Sequence, residues 1–178
     1  MKEVQILDKK FREFITELKI REKVQELALK INTDLKGREV LFIAVLNGAF
    51  MFAADLFKRI DLKASITFIK LSSYRGTCSS GSVRELIGWN EELKGRTVVI
   101  VEDIVDTGET LEYTFNYISG RNVSDIKVVT LLLKPAAYRR NIKLDYIGFE
   151  IPNDFVVGYG LDYDGFGRNL PSVYKIML

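Results

Sequence analysis

The clearest chemistry in this 178-residue chain lies in one segment, VVIVEDIVDTGET at residues 98–110. The apolar run from Val98 to Val101 predicts a strand, with Glu102 and Asp103 at its end and Asp106-Thr107-Gly108-Glu109-Thr110 opening the next helix. Consecutive strand residues face opposite sides, so two adjacent carboxylates inside a sheet would leave at least one buried without a partner. At a strand end both can reach a polar ligand. Thr107, Gly108 and Thr110 set small residues and hydroxyls at a helix N-terminus, where unpaired N–H groups and the positive end of the dipole favour a phosphate. The acids beside such a site call for something cationic or hydroxylated, which together points to a phosphorylated sugar handled with Mg²⁺. A simple helix cap at Asp106 or Thr107, or a solvated acid pair, would explain one of these features but not all of them directly after an apolar strand. Neither a Gly-x-x-x-x-Gly-Lys-Ser/Thr loop nor a Gly-x-Gly-x-x-Gly turn after any of the first four strands is present.

Composition narrows the remaining chemistry. Histidine is absent and Cys78 is the single cysteine, so an imidazole zinc site, a Ser-His-Asp triad and an intramolecular disulfide are all excluded. Catalysis must rest on carboxylates, Lys, Tyr or a bound metal. The net charge of +2 comes from interspersed Lys, Arg, Asp and Glu with no basic stripe, so no nucleic-acid partner is expected. MKEVQILDKK lacks the uninterrupted apolar stretch of a signal peptide, and no apolar run approaches the ~20 residues that span a bilayer. A soluble, cytoplasmic protein without a membrane partner is expected.

The elements that must position these residues follow from periodicity. Residues 9–32 carry Phe11, Phe14, Ile15, Leu18 and then Val24, Leu27, Ala28, Ile31 at helical spacing, predicting one amphipathic entry helix. VLFIAVL (40–46) predicts a strand buried on both faces, followed by a turn at Asn47-Gly48 and a helix through Phe50, Ala53, Ala54 and Phe57. SITFIKL (65–71), TVVIV (97–101) and IKVVTLLL (126–133) predict further strands, with a helix through Leu111, Phe115 and Ile118. The stretch SSYRGTCSSGSVREL offers no core face and reads as a long loop or extended hairpin. Strands alternating with helices predict an α/β fold, a parallel twisted sheet flanked by helices. Residues 144–178, with DYIGFEI and FVVGYGL, read as an appended subdomain rather than another repeat. With 178 residues there is room for one domain with a sizeable core.

Segment 98–110 resembles the 5-phosphoribosyl 1-diphosphate (PRPP) binding motif of the type I phosphoribosyltransferases, and more narrowly of the hypoxanthine-guanine phosphoribosyltransferases. The resemblance continues in order through VLNGAF, SSYRG, LLLK and FVVGYGLDY to Arg168. It implies the fold of that family, a single domain over 1–178 with a core of about 35–150 and a small hood subdomain from about 1–15 and 150–178. It also implies transfer of a phosphoribosyl group from PRPP to a purine base, with Mg²⁺ as cofactor and a homodimer or homotetramer as the assembly. Glu102 and Asp103 would hold the ribose hydroxyls directly or through Mg²⁺, and Asp106 to Thr110 would cradle the 5′-phosphate. Asp106 would face N7 of the base and accept its proton. Lys134 would hydrogen-bond a 6-oxo group, which discriminates against adenine because an amino group there cannot accept from an ammonium. Phe155 would stack on the base and Val156 would contact its edge. Asp162 would coordinate the Mg²⁺ bound to pyrophosphate, Arg168 would contact pyrophosphate oxygens, and Ser73-Tyr74 would belong to a lid that excludes water. The backbone of Leu46-Asn47-Gly48 would bind pyrophosphate, often through a non-proline cis peptide. Many members carry Leu-Lys-Gly there, so Asn47 is a departure.

Taken singly, Lys134 reads as a solvent-exposed lysine, Phe155 as core and Arg168 as a surface cation; their order after the motif is what favours the site. Two rivals remain: a xanthine-preferring sibling enzyme, and an RNA-binding regulator on the same fold, which would need a basic face.

Overall fold

The computed structural model describes residues 2–73, 83–87 and 91–177. The chain opens with two strands, β1 (Glu3–Ile6) and β2 (Lys9–Ile15), paired antiparallel with Val4 opposite Phe11. Helix α1 (Glu17–Asp34) starts only after them. The single helix expected over 9–32 is therefore corrected to a strand followed by a helix. Phe11 and Ile15 satisfy both periods, being four apart on a helix and on one face of a strand, and both are buried here. Thr16 decides the boundary, since its side chain accepts the amide of Lys19 and caps α1. Leu18, counted in the apolar stripe, is exposed, whereas Val24, Leu27, Ala28 and Ile31 are buried as expected.

The central sheet is built from β3 (Glu39–Leu46), β4 (Lys63–Ser73), β5 (Val83–Ile87), β6 (Thr97–Val105), β7 (Asp125–Leu133) and β8 (Tyr146–Glu150). Its order is β5-β4-β3-β6-β7-β8; all neighbours are parallel except the edge pair β4–β5. Helix α2 (Phe50–Phe57) connects β3 to β4, and α3 (Glu109–Ser119) connects β6 to β7. The continuous apolar strands divide by period two into two cores. Val40, Phe42, Ala44, Val99 and Val101 pack with α1 and α2, while Leu41, Ile43, Val98 and Ile100 pack with Leu111 and Ile118 of α3. The result is a three-layer sandwich, in which each fully buried aliphatic side chain contributes about 1.5–3 kcal/mol of transfer free energy.

DYIGFEI is β8, a strand of this sheet in register with β7 (Val129 opposite Tyr146), and so is not part of an appended piece. The crossover from β7 to β8, residues 134–145, contains no helix, which removed the signal by which a repeat is recognised. Gly148 is required in β8 because a Cβ there would lie 2.4 Å from the carbonyl oxygen of Leu131.

A second, antiparallel sheet has the order β1-β2-β10-β9 and joins the two chain ends, with β9 at Val156–Val157 and β10 at Val173–Ile176. The stretch expected as a loop or hairpin after β4 pairs antiparallel where it is described, with Ser73 opposite Val83. Tyr74 lies outside the described residues. Among the described residues no helix is long and apolar enough to cross a membrane.

Candidate active site

The connection after β3 leads outward to β4, and the connection after β6 leads the other way to β7, so the order of strands reverses between β3 and β6. Crevices beyond the carboxyl ends of strands at such a switch point are where open α/β sheets bind ligands. Here the crevice receives Leu46-Asn47-Gly48 from β3 and Glu102 to Thr110 from β6.

The strand expected to end at Val101 runs on to Val105, which places Glu102 and Asp103 inside β6. Glu102 pairs in register with Thr130 of β7, is 4 % exposed, and its Oε1 is enclosed without a hydrogen-bond partner. Burial, and then the charges of Asp103 and Asp106, raise its carboxyl well above the ordinary range. Asp103 faces the other side. Burial is the main cause that pushes it up to about 6, opposed by hydrogen bonds from the amides of Ile104 and of Asp103 itself and by the charge of Arg168.

After β6 the chain bends at Asp106 and Thr107, and Gly108 takes a left-handed φ of 84° immediately before α3. No side chain caps the helix; the Asp106 carboxylate instead accepts from the adjacent Thr107 amide. The first-turn amides thus border a cavity of about 320 Å³ lined by Glu102 and residues 104–111.

On the β3 side the Leu46–Asn47 peptide is cis. Gly48 has no room for a side chain, since a Cβ would lie 1.6 Å from Oδ2 of Asp103. A Cβ on Gly160 would in turn lie 2.0 Å from the carbonyl oxygen of Gly48. The acid of β6, the loop after β3 and the turn after β9 are therefore stacked in direct contact. Arg168 extends this stack: Nη1 donates to the Gly160 carbonyl at 2.6 Å, and Nη2 lies 2.7 Å from Oδ1 of Asp162. Oδ2 of Asp162 accepts from the Gly165 amide at 2.6 Å. Asp162 and Arg168 are thus brought together, but as partners of each other.

Lys134 follows β7 and is tied to β6 by its amide, which donates to the Val105 carbonyl at 2.9 Å. Its ammonium makes no hydrogen bond or ion pair among the described residues. Phe155 is 45 % exposed and meets Tyr163 in a T-shaped contact with ring centroids 5.9 Å apart. It is not core. Val156 is buried in β9, and the Phe155 carbonyl accepts from the Ile176 amide at 3.0 Å.

The three acids expected at the metal do not form one cluster, and among the described residues no group of three or more His, Cys, Asp or Glu side chains is gathered for a metal. Mg²⁺ commonly takes one or two carboxylates and completes its shell with water and substrate phosphates, so a single one of these acids suffices for it. Four neighbours escaped the sequence reading. Asp55 of α2 accepts from Oη of Tyr159 at 2.7 Å, and Tyr138 and Arg140 pack behind Gly108. The left-handed run Gly158-Tyr159-Gly160 is foreshadowed by its Gly-x-Gly spelling; Asp55, Tyr138 and Arg140 carry no local signal.

Known proteins place this geometry in a family. The family model for the phosphoribosyl transferase domain matches residues 14–164. The hypoxanthine-guanine phosphoribosyltransferase of Bacillus subtilis is 43 % identical over 160 residues, covering 89 % of both chains. The bifunctional protein TilS/HprT of Listeria monocytogenes is 45 % identical over 160 residues, but this chain, 89 % of which is covered, spans only 25 % of that protein. The crystal structure of a hypoxanthine phosphoribosyltransferase from Staphylococcus aureus superposes with a TM-score of 0.88 at 38 % identity, covering 93 % of this chain and 91 % of that one. The parallel sheet, the switch-point crevice and these matches have one consequence: the chain belongs to the type I phosphoribosyltransferase family, a family of transferases, among its hypoxanthine-guanine members.

Proposed function

We propose that the chain transfers the 5-phosphoribosyl group of PRPP to N9 of hypoxanthine or guanine, forming IMP or GMP and pyrophosphate in purine salvage. The observation that carries this reading is Oε1 of Glu102, beside Asp103, enclosed without a hydrogen-bond partner next to a helix N-terminus that no side chain caps. Among the described residues no group hydrogen-bonds Oε1 of Glu102, so a ligand bearing hydroxyls and a cation accounts for a burial that otherwise costs stability.

The 5′-phosphate sits on the first-turn amides of α3, with Thr107 and Thr110 beside it. Glu102 and Asp103 take the ribose hydroxyls. Glu102, Asp103 and Asp162 each offer only oxygen, the donor Mg²⁺ prefers. Since they are not gathered, each would hold the ion singly, with water and substrate oxygens completing its shell. When bound, the ion would offset the charge of the pyrophosphate. Leu46, Asn47 and Gly48 receive pyrophosphate through their backbone, and Arg168 assists once it shares or releases Asp162. The base lies against the exposed Phe155 ring, with the ammonium of Lys134 toward its 6-oxo group. In the transfer the C1–O bond breaks with its electron pair leaving on pyrophosphate. The N9 lone pair forms the new bond to C1, and the displaced purine proton passes to Asp106. The second sheet serves as the hood, the stretch containing Ser73 and Tyr74 as the water-excluding lid. The protein works in the cytoplasm as a homodimer or homotetramer, with no nucleic-acid or membrane partner.

A spectrophotometric assay with PRPP and Mg²⁺ against hypoxanthine, guanine, xanthine, adenine and uracil tests this. Turnover with hypoxanthine or guanine and none with adenine is expected; no nucleotide from any base overturns the reading. Asp106→Asn should lower kcat far more than it raises KM for PRPP, and an equal loss in both would move Asp106 to a binding role.

A further inference from the structure

Directly behind the phosphate loop stands a cation that none of these roles uses. After β7 the chain turns back on itself, the amides of Ala137 and Tyr138 donating to the Lys134 carbonyl at 3.0 and 3.1 Å. This lays Tyr138 and Arg140 against the turn before α3. A Cβ on Gly108 would lie 2.6 Å from Cε2 of Tyr138 and 2.8 Å from Cγ of Arg140. The ring is pinned by Oη, which donates to the Ile142 carbonyl at 2.7 Å. The guanidinium reaches past Gly108 to the start of α3, with Nε 3.3 Å from Oε2 of Glu112 and Nη2 3.9 Å from Oε1 of Glu109. Its Nε is enclosed and makes no hydrogen bond, so packing and the charge of Glu112 hold that nitrogen in place.

The electrostatics of that helix end pose a conflict. Glu109 and Glu112 occupy the first turn of α3, where carboxylates favour the helix dipole. The same two charges oppose a phosphate dianion arriving at the same amides. Among the described residues the only ion pairs of Glu109 and Glu112 are with Arg140.

We propose that Arg140 is a positioning residue of the phosphate site. Its charge neutralises Glu109 and Glu112 so that the first turn of α3 remains attractive to the 5′-phosphate, while its aliphatic stem and Tyr138 hold Gly108 in the left-handed conformation. The inference rests on the phosphoribosyl-transfer reading for its ligand and separates charge from packing in its test.

Arg140→Met keeps the stem and removes the charge. The KM for PRPP should rise about ten-fold, the scale of one partly screened charge interaction, with kcat and the KM for the purine changed less than about two-fold. Calorimetric binding of ribose 5-phosphate should weaken in the same proportion, and binding of inorganic pyrophosphate should not change. Adding Glu112→Gln to Arg140→Met should recover most of the PRPP affinity, and Arg140→Lys should stay within about three-fold of the parent. An unchanged KM for PRPP in Arg140→Met, or a raised KM that Glu112→Gln does not lower, overturns the proposal and leaves only packing. If the parent chain binds ribose 5-phosphate but turns over no base, the transferase reading fails; ribose 5-phosphate binding weakened by Arg140→Met and recovered by Glu112→Gln still supports the phosphate-site role.

Discussion

Replacing Tyr159 by phenylalanine deletes one oxygen from the joint between the two sheets. In the folded protein that oxygen donates to Oδ2 of Asp55 at 2.7 Å, across 104 residues of sequence, and the ring is 4 % exposed. Tyr159 also holds a left-handed φ of 50°, a conformation that costs an aromatic residue of order 1–3 kcal/mol and persists only when its surroundings hold it. Burial, and then the Asp55 carboxylate, raise the phenol, so it stays a donor throughout the working range. A hydrogen bond to a charged acceptor contributes about 1.5–3 kcal/mol. The lower end applies, because the Asp55 side chain is about one-third exposed and keeps Lys58 at 2.7 Å when the phenol is gone. With an unfolding entropy of about 0.4 kcal/mol per kelvin for a chain of this length, a loss near 1.5 kcal/mol lowers Tm by about 4 °C. The pH dependence adds a second check. Burial alone would raise Asp55, but hydrogen bonds from Lys58 and Tyr159 and the charges of Lys58 and Arg59 outweigh it and hold the carboxyl below its ordinary 3.8. A lowered folded pKa gives stability that is complete above 3.8 and is lost as pH falls through the folded value. Calorimetric melts of the parent and Tyr159→Phe should therefore differ fully at neutral pH and converge in acid. A difference under about 1 °C at pH 7, or one that persists after Asp55 is protonated, would refute the argument.

Glu102→Gln should behave oppositely in the free and bound states. The folded carboxyl is raised, so between the unfolded and folded pKa the native state holds a proton that the unfolded chain has released, and stability falls as pH rises. Melts of the ligand-free protein should show a Tm gain of a few degrees at pH 7 and none near pH 4, where both states are protonated; titration calorimetry should show PRPP with Mg²⁺ binding at least ten-fold more weakly. Gly48→Ala forces a methyl onto the Asp103 carboxylate; displacing a reacting-site group by about 1 Å costs roughly 100-fold. Its kcat/KM for PRPP should fall on that scale, and since overpacking costs about 1–3 kcal/mol, Tm should fall by roughly 3–8 °C; a parent-like kcat/KM would mean that Asp103 tolerates displacement.

What the sequence makes legible, in fold and in site, is what lies within one element. β3, β6 and β7 announce themselves because strands buried on both faces spell uninterrupted apolar runs, and their alternate residues feed the two cores. Glu102 to Thr110 is legible for the same reason, since strand end, turn and helix start are contiguous. β2 is misread because Phe11 and Ile15 fit both periods, and only pairing with β1 and β10 chooses between them. β8 is misread because its crossover carries no helix. Asp55 and Arg140 could not be found at all. One meets Tyr159 and the other meets Glu109 and Glu112 only after separate segments fold together, and an isolated Asp on α2 or an Arg in a connecting loop is indistinguishable from a solvated charge.

The most informative difference lies in β6 itself. Adjacent carboxylates inside a sheet leave one buried and unpartnered, and on that ground Glu102 and Asp103 belong beyond the strand. β6 nevertheless runs through both and leaves Oε1 of Glu102 enclosed with nothing to bond. Burying an unmatched carboxyl costs about 1–3 kcal/mol or more, a large fraction of the 5–15 kcal/mol that holds a domain folded. Among the described residues no hydrogen bond to Oε1 offsets it: Thr130, its register partner, uses its own hydroxyl on the Leu132 carbonyl. A rule of local consistency broken without a structural gain marks a place where the missing partner is supplied from outside. The exposed acids on α1 could be exchanged for other polar residues at little cost. Glu102 becomes intelligible with a ligand in the crevice that brings the hydroxyl or cation its enclosed Oε1 lacks.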